Sequence, residues 1–219
     1  MKKELIYRVF FYILGMLLLS FGISLNTRTD LGVSPLISVS FCVSELISAN
    51  VGDVTLIWYV IFVLVEIICH VGMKRYKAII SDILQIPVCI VFTRFMNLFA
   101  GIIPDMAGNM PVRILSLFIA IILTGLGIVL TLNAKIVPNP GDGIVQALAD
   151  CSGKTVSTMK NILDAVCVVI TIVIGLVFAG KIIGIGIGTV LAVIFVGRVV
   201  AAGNYFFKEK MLKLSGLDA

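Results

Sequence analysis

Three polar side chains at helical spacing form the first candidate for chemistry in this chain. In IVPNPGDGIVQALAD, residues 136–150, Asp142, Gln146 and Asp150 follow one another at intervals of four and would share one face of a helix. Carboxylate and amide groups on one face bind small polar solutes through hydrogen bonds. The stretch is therefore a candidate solute-binding segment.

The residues at the start of this stretch predict where its helix begins. Asn139 is a favourable N-cap, and Pro140 suits the first helical position, where its missing N–H loses nothing. Gly141 and Asp142 follow in the first turn, where a carboxylate interacts well with the helix dipole. We expect an extended entry to about Asn139 and a short helix from Pro140 to about Asp150.

A second stretch, LGVSPLISVSFCVSE, residues 31–45, repeats the same arrangement. Ser34 and Pro35 reproduce the cap and the proline, and Ser34, Ser38 and Glu45 form a comparable polar stripe. Free N–H groups and the positive dipole end at two such helix starts would form a site for an anion or another polar solute. The candidate solute-binding residues at these two starts are Ser34, Ser38, Asn139, Gly141, Asp142 and Gln146.

Two arginines inside apolar segments are the next candidates. Arg94 and Arg198 each lie about 16 residues into a predicted span, or roughly 24 Å along a helix. An arginine at such a depth faces a cavity or a partner, or extends its side chain to the nearer interface. If functional, the pair would guide an anionic solute from either side, and both join the candidate solute-binding set.

Three acidic residues within or near apolar segments, Glu66, Asp82 and Asp164, complete the set. Such a carboxylate can carry a coupling proton or form an ion pair, and Glu66 and Asp164 are the candidates for these roles. Gly180, Gly184 and Gly188 recur at intervals of four, a spacing that favours close helix packing, either within the chain or in a homodimer.

The composition places these residues in a membrane protein. The chain has 219 residues, of which 60% are hydrophobic and 13% charged, with a mean hydropathy of +1.16. Its basic residues cluster at the ends of apolar runs, so the net charge of +5 does not indicate nucleic acid. Motifs of the main enzyme classes are missing, and the chain has one histidine. We expect no enzymatic activity, no cofactor and no bound metal.

Six apolar runs are long enough to cross a bilayer. They lie at residues 7–25, 54–72, 79–100, 112–132, 156–179 and 182–206. Two shorter, more polar segments, 31–49 and 136–151, are interpreted as half-helices that enter the membrane. Surface-lying amphipathic helices and ordinary short spans, which would bring the total to eight crossings, stay open as alternatives.

The distribution of lysine and arginine favours six crossings. With the N-terminus inside, six crossings place 12 basic residues in the cytoplasm and 3 outside, whereas eight crossings give 9 and 6. Basic residues concentrate on the cytoplasmic side of membrane proteins. The sequence therefore predicts an all-α, multi-pass membrane protein with both termini in the cytoplasm.

An internal duplication divides the chain into two repeats. A constant shift of 105 residues aligns 31–45 with 136–150, pairing Pro35 with Pro140, and the match continues downstream. We expect a first repeat over 1–110 and a second over 111–219, each with three spans and one half-helix. Because three is odd, the two repeats would insert with opposite orientation, as in many transporters.

The LGVSP and PNPGDG elements resemble the YczE/YyaS/YitT group of bacterial membrane proteins. The resemblance extends over roughly residues 10–205 and implies fold and membrane location but no particular solute. The sequence departs from the group at Leu36-Ile37, where an acidic residue is common, and at Val137-Pro138, which replace Leu-Gly.

These observations predict a small transporter or channel for a small polar, anionic solute, with the site between the two half-helix starts. The alternative is a non-transporting membrane subunit, scaffold or substrate-binding component that supports another enzyme or exporter. Lipid handling in a polar groove is a third hypothesis.

Overall fold

A computed structural model describes residues 2–106 and 108–217, and every regular element in these ranges is a helix. The eight helices are α1 Lys2–Arg28, α2 Pro35–Ile47, α3 Val51–Gly72, α4 Tyr76–Ile102, α5 Met110–Ala134, α6 Pro140–Ser152, α7 Val156–Ala179 and α8 Ile187–Leu214. Six of them are long and apolar enough to cross a membrane. The prediction of an all-α, multi-pass membrane protein is confirmed.

The two shorter helices are the predicted half-helix segments. α2 and α6 have 13 residues each, and both begin with the proline that the sequence pointed to. Asn139 precedes α6 in an extended conformation and caps it, as its residue type predicts. At about 1.5 Å per residue, a helix of this length covers roughly 20 Å, which is too short to cross 30 Å of hydrocarbon.

The helices fall into two compact units that do not coincide with the two sequence halves. Unit 1 consists of the described residues of Met1–Ser34, Leu98–Ile136 and Gly186–Ala219, and unit 2 of Pro35–Asn97 and Val137–Ile185. Unit 1 therefore contains α1, α5, α8 and the last turn of α4. Unit 2 contains α2, α3, α6, α7 and the rest of α4.

In unit 1, α1 and α5 lie antiparallel along each other. Arg8, near the start of α1, donates from Nη2 to the Lys135 carbonyl beyond the end of α5 at 2.6 Å. At the opposite end, Arg113 donates from Nε to the Thr29 carbonyl at 2.6 Å and pairs with Asp30 at 3.0 Å. The first helix of each sequence half thus runs against its counterpart.

Glycines allow α1 and α5 to approach backbone to backbone. A Cβ placed on Gly127 would lie 2.6 Å from the Leu19 nitrogen, and one on Gly22 would lie 2.8 Å from the Thr124 nitrogen. In a membrane, where lipid removes most of the hydrophobic drive between helices, such close packing supplies much of the association energy. These glycines form the tight helix interface of unit 1.

The glycine stripe expected at residues 180–188 does not exist, and this prediction is wrong. Gly180 caps the end of α7 with φ +66°, and Gly184 has φ +76° in the connection before α8. Residues with positive φ interrupt a right-handed helix, so Gly180, Gly184 and Gly188 share no helical face. For the same reason the last span begins at Ile187 and not near residue 182.

Gly188 packs instead against the segment that leads out of α1. Its N–H donates to the Leu31 carbonyl at 2.7 Å. Gly32, with φ +106°, lies so close that an added Cβ would be 2.5 Å from the Gly186 nitrogen. The LGV element of the sequence is therefore held by backbone contacts to the start of α8.

In unit 2, the packing partners follow the sequence duplication. α2 packs on α7 while α6 packs on α3, and α2 contacts α3 while α6 contacts α7. In the duplication α2 corresponds to α6 and α3 to α7. Exchanging each helix for its counterpart leaves this set of pairs unchanged.

Candidate functional site

The start of α6 is the centre of the candidate site. Asn139 Oδ1 accepts a hydrogen bond from the Gly141 N–H at 3.2 Å, and the Asn139 carbonyl accepts from the Asp142 and Gly143 N–H groups at 2.8 Å each. Pro140 has no N–H to satisfy. The donors of the first turn are thus occupied within the cap, so they are not free for an anion.

The start of α2 lies beside the start of α6. Leu36 Cδ1 is 3.4 Å from the position that a Cβ on Gly141 would take. The shift of 105 residues pairs Leu36 with Gly141, so two equivalent positions are in contact with each other. The starts of the two short helices are therefore in contact in unit 2.

Two side chains of α3 face the two glycines of the PGDG element. The Tyr59 hydroxyl lies 3.7 Å from the Cβ position of Gly141, and Glu66 Oε2 lies 2.7 Å from that of Gly143. Residues seven apart share a helix face, which explains how one helix supplies both contacts. Gly143 leaves the space that the Glu66 carboxyl occupies, because any side chain there would displace it.

Glu66 is buried and held by α4. Gln85 Nε2 donates to Glu66 Oε2 at 2.6 Å, and both side chains are 1% exposed. Next to this pair, His70 Nδ1 and Asp82 Oδ2 are 2.7 Å apart. Two polar pairs therefore link α3 and α4, and one of them, Glu66 with Gln85, lies against Gly143 of α6.

Ser38 makes the corresponding contact on the other side of the duplication. Its hydroxyl lies 2.7 Å from that of Thr171 on α7, and it also donates to the Pro35 carbonyl. Ser38 is fully buried, and these two hydrogen bonds satisfy its hydroxyl group inside unit 2.

Asp164 forms an ion pair with Lys160, and the charge of Lys160 also acts on Asp142. Lys160 Nζ contacts both oxygens of Asp164 at 2.6 and 2.7 Å, so Asp164 forms an ion pair with a neighbour on its own helix. The same ammonium group attracts the half-buried carboxylate of Asp142, which in turn acts on the Tyr59 hydroxyl. The acidic side chain of the cap thus has a cation nearby.

Other predicted residues lie away from the start of α6. Gln146 is exposed and donates to Asp150 at 2.8 Å, and Asp150 pairs with Arg75. The predicted polar stripe exists, but its last residue, Asp150, connects α6 to the turn after α3 through Arg75. Ser34 is half-buried and immediately precedes α2, at the end of unit 1.

The two arginines occupy different units and different environments. Arg94 pairs with Asp53 at 2.9 Å in unit 2, and Asn97 joins the same carboxylate at 3.0 Å. Arg198 belongs to α8 of unit 1, where its guanidinium lies 5.4 Å from the centre of the Phe195 ring. Both side chains are exposed.

Sequence reasoning missed Tyr59, Gln85 and Thr171. Thr171 stands 105 residues after Glu66, so the duplication already aligned the two helix positions that contact Ser38 and Gly143. Gln85 was recognisable as an uncharged polar residue within a predicted span. Within the described ranges, no group of three or more His, Cys, Asp or Glu side chains is arranged to bind a metal.

Comparison with known proteins places this arrangement in a family. A family model described as a family of unknown function, DUF6198, matches residues 6–205. The chain belongs to this family.

Two relatives come from Bacillus subtilis strain 168. The uncharacterized protein YyaS is 26% identical over 185 residues, which cover 84% of this chain and 85% of YyaS. The uncharacterized membrane protein YczE is 24% identical over 202 residues, which cover 91% of this chain and 86% of YczE.

These relatives confirm the resemblance that the LGVSP and PNPGDG elements indicated. The name of YczE, a membrane protein, also agrees with the six apolar helices. No solved structure matches the chain significantly.

Proposed function

We propose that this DUF6198 protein is a small transporter or channel for a small polar solute. It would lie in the bacterial cytoplasmic membrane with both termini in the cytoplasm, and it would have no enzymatic activity. The solute would bind at the start of α6, near Asn139, Asp142 and Tyr59.

The contact between the starts of two short helices carries this proposal. Leu36 and Gly141 touch at equivalent positions, and each short helix packs on a long helix of the other repeat. Half-helices that meet inside a membrane protein form solute sites in several transporter folds. A protein with a purely structural role does not require two half-helices that begin at one place.

The contacts at the helix ends support an inverted arrangement of the two repeats. α1 and α5 are equivalent in the duplication and antiparallel in unit 1. Arg8 and Lys135 share one end of this pair, which supports six crossings, because eight would put these two residues on opposite sides of the membrane. The ion pair of Arg75 with Asp150 likewise joins two positions that six crossings place in the cytoplasm.

The chemistry around the cap bears on the charge of the solute. The sequence led us to expect an anion, drawn to free N–H groups at the helix start. Those N–H groups are occupied, while the carboxyl groups of Asp142 and Glu66 lie nearby. The contacts therefore favour a solute that donates hydrogen bonds, such as an ammonium or hydroxyl compound.

Osmotic measurements on proteoliposomes test the function even though the solute is unidentified. Light scattering after a concentration jump reports the entry of choline, glycine, sorbitol or sulfate, which differ in charge. We expect protein-dependent entry of at least one donor-bearing solute and a reduced rate for Asn139→Ala and Asp142→Ala. Asn161→Ala, an exposed asparagine on α7, is the matched control and should transport normally.

Two outcomes would count against the proposal. Entry of sulfate alone would restore the anion hypothesis. Absence of entry for a wider panel, together with a stable partner recovered from native membranes, would favour a subunit or scaffold role.

A further inference from the structure

The Glu66 side chain contains a buried oxygen without a hydrogen-bond partner. Gln85 donates to Oε2, but Oε1 has no partner among the described residues. The Gln85 side chain also contains a buried acceptor, Oε1, that receives no hydrogen bond from the described residues. Buried acceptors that lack donors are strongly unfavourable and are rare in native proteins.

Nothing described around Glu66 neutralises an ionised carboxylate. No lysine, arginine or histidine in the described ranges forms an ion pair with it, and His70, one helical turn further along α3, is paired with Asp82. The titratable groups that interact electrostatically with Glu66 are Asp82 and Cys89 of α4 and Cys69 of α3, none of which carries a positive charge. On α2, which also packs on α3, Glu45 is exposed.

One proton would satisfy both orphaned oxygens together. A carboxylic acid has one O–H donor and one carbonyl acceptor, and a primary amide has an N–H donor and a carbonyl acceptor. The two groups pair through two hydrogen bonds that close a ring. One of these bonds is present, from Gln85 Nε2 to Glu66 Oε2. The two atoms left over are the two that the second bond needs.

We propose that Glu66 is a proton-binding site, protonated on Oε1 and donating to Gln85 Oε1 where α3 meets Gly143 of α6. The proton comes from water and returns to water, and no other bond is made or broken. A role of Glu66 in coupling proton movement to transport rests on the function proposed above, whereas the presence of the proton on Glu66 does not.

The position of the site explains why a proton there would affect the candidate solute site. The Glu66 carboxyl touches Gly143, two residues after Gly141, whose Cβ position lies within 3.7 Å of Tyr59. Loss of the proton would leave a full negative charge against the first turn of α6. A conformation that admits water or a solute cation at this contact would then be favoured.

Infrared spectroscopy tests the proton directly. A protonated carboxyl group has a C=O stretch that a carboxylate lacks. We expect this band in the purified wild-type protein at neutral pH, its loss in Glu66→Gln, and its persistence in Glu209→Gln, an exposed glutamate on α8. In Gln85→Leu the band should shift, because the amide partner is gone. Identical wild-type and Glu66→Gln spectra at neutral pH would overturn the proposal.

The pH dependence of stability gives a second, independent measurement. A folded protein that holds this proton binds one more proton than the unfolded chain, in which a glutamate is ionised at neutral pH. The wild type should therefore lose stability relative to Glu66→Gln as the pH rises from about 4.3, the pKa of a free glutamate, to the pH at which the folded protein releases the proton. A stability difference that does not change with pH, or one that changes with the sodium concentration at fixed pH, would contradict a proton site. Neither measurement requires transport, so failure here is separate from failure of the flux experiment.

Discussion

Ser38 and Thr171 are hydrogen-bonded at positions that the 105-residue shift makes equivalent to Gly143 and Glu66. The same helix contact thus occurs twice in unit 2 with different chemistry. On one side two hydroxyl groups satisfy each other, and on the other a glycine accommodates a carboxyl. Of these two equivalent contacts, only the one between α3 and α6 therefore contains a carboxyl group, that of Glu66.

The Ser38–Thr171 contact should be a measurable coupling. We expect Ser38→Ala and Thr171→Val to be less destabilising together than the sum of the single changes. The difference should be about 0.6 kcal/mol and no more than about 1.7 kcal/mol, the range of hydrogen bonds between membrane helices. A double-mutant cycle on unfolding in mixed micelles measures it. Strict additivity would show that the two hydroxyl groups do not interact.

The glycine contact between α1 and α5 should tolerate no side chain. A Cβ on Gly127 would meet backbone atoms of Leu19, which cannot rotate away, so the helices must separate. We expect Gly127→Ala to destabilise the protein by about 1–3 kcal/mol. Thermal unfolding in detergent is the measurement. Gly197→Ala, on α8 with open space around it, should be neutral or stabilising by at most about 1 kcal/mol.

The six-crossing topology predicts which loops a membrane-impermeant thiol reagent reaches. In a variant without the five native cysteines, Met110→Cys should be labelled in intact cells. Lys77→Cys should be labelled only after the membrane is permeabilised. Both positions are exposed, so access to the reagent is not limited by packing. Labelling of Lys77→Cys from outside would remove the basis for inverted repeats.

The ion pair of Arg94 with Asp53 should contribute little to stability. Both side chains are partly exposed, at 57% and 43%, and exposed pairs contribute about 0–1 kcal/mol. We expect Arg94→Ala to lower stability by no more than this and to leave the choice of solute unchanged. A change of solute selectivity in the osmotic measurement would return Arg94 to the solute pathway that the sequence suggested.

The start of α6 was predictable because its signals are local. Asn139 and Pro140 determine the cap and the first turn, whatever packs against them, and the structure begins the helix at Pro140. Composition and charge likewise predicted six long helices, because burial in lipid depends on the length and polarity of each segment alone.

The partners of the buried polar groups were not predictable in the same way. The ion pair of Lys160 with Asp164 is an exception, because residues four apart on a helix are neighbours. The sequence analysis nevertheless left the partner of Asp164 open. Gln85 stands 19 residues from Glu66, and only tertiary packing brings the two together. The error at Gly180–Gly188 arose because regular glycine spacing was read without regard to φ, which a sequence does not display.

The antiparallel contact of α1 with α5 has a consequence for biosynthesis. α1 buries Ser20, Ser24 and Asn26, yet its main partner begins at Met110, so more than 80 residues must be made and inserted first. During this interval α1 stands in the bilayer with its glycine face and polar groups uncovered. The N-terminal half therefore cannot complete its folding during its own synthesis, and the membrane must hold it as an unfinished intermediate until the second half arrives.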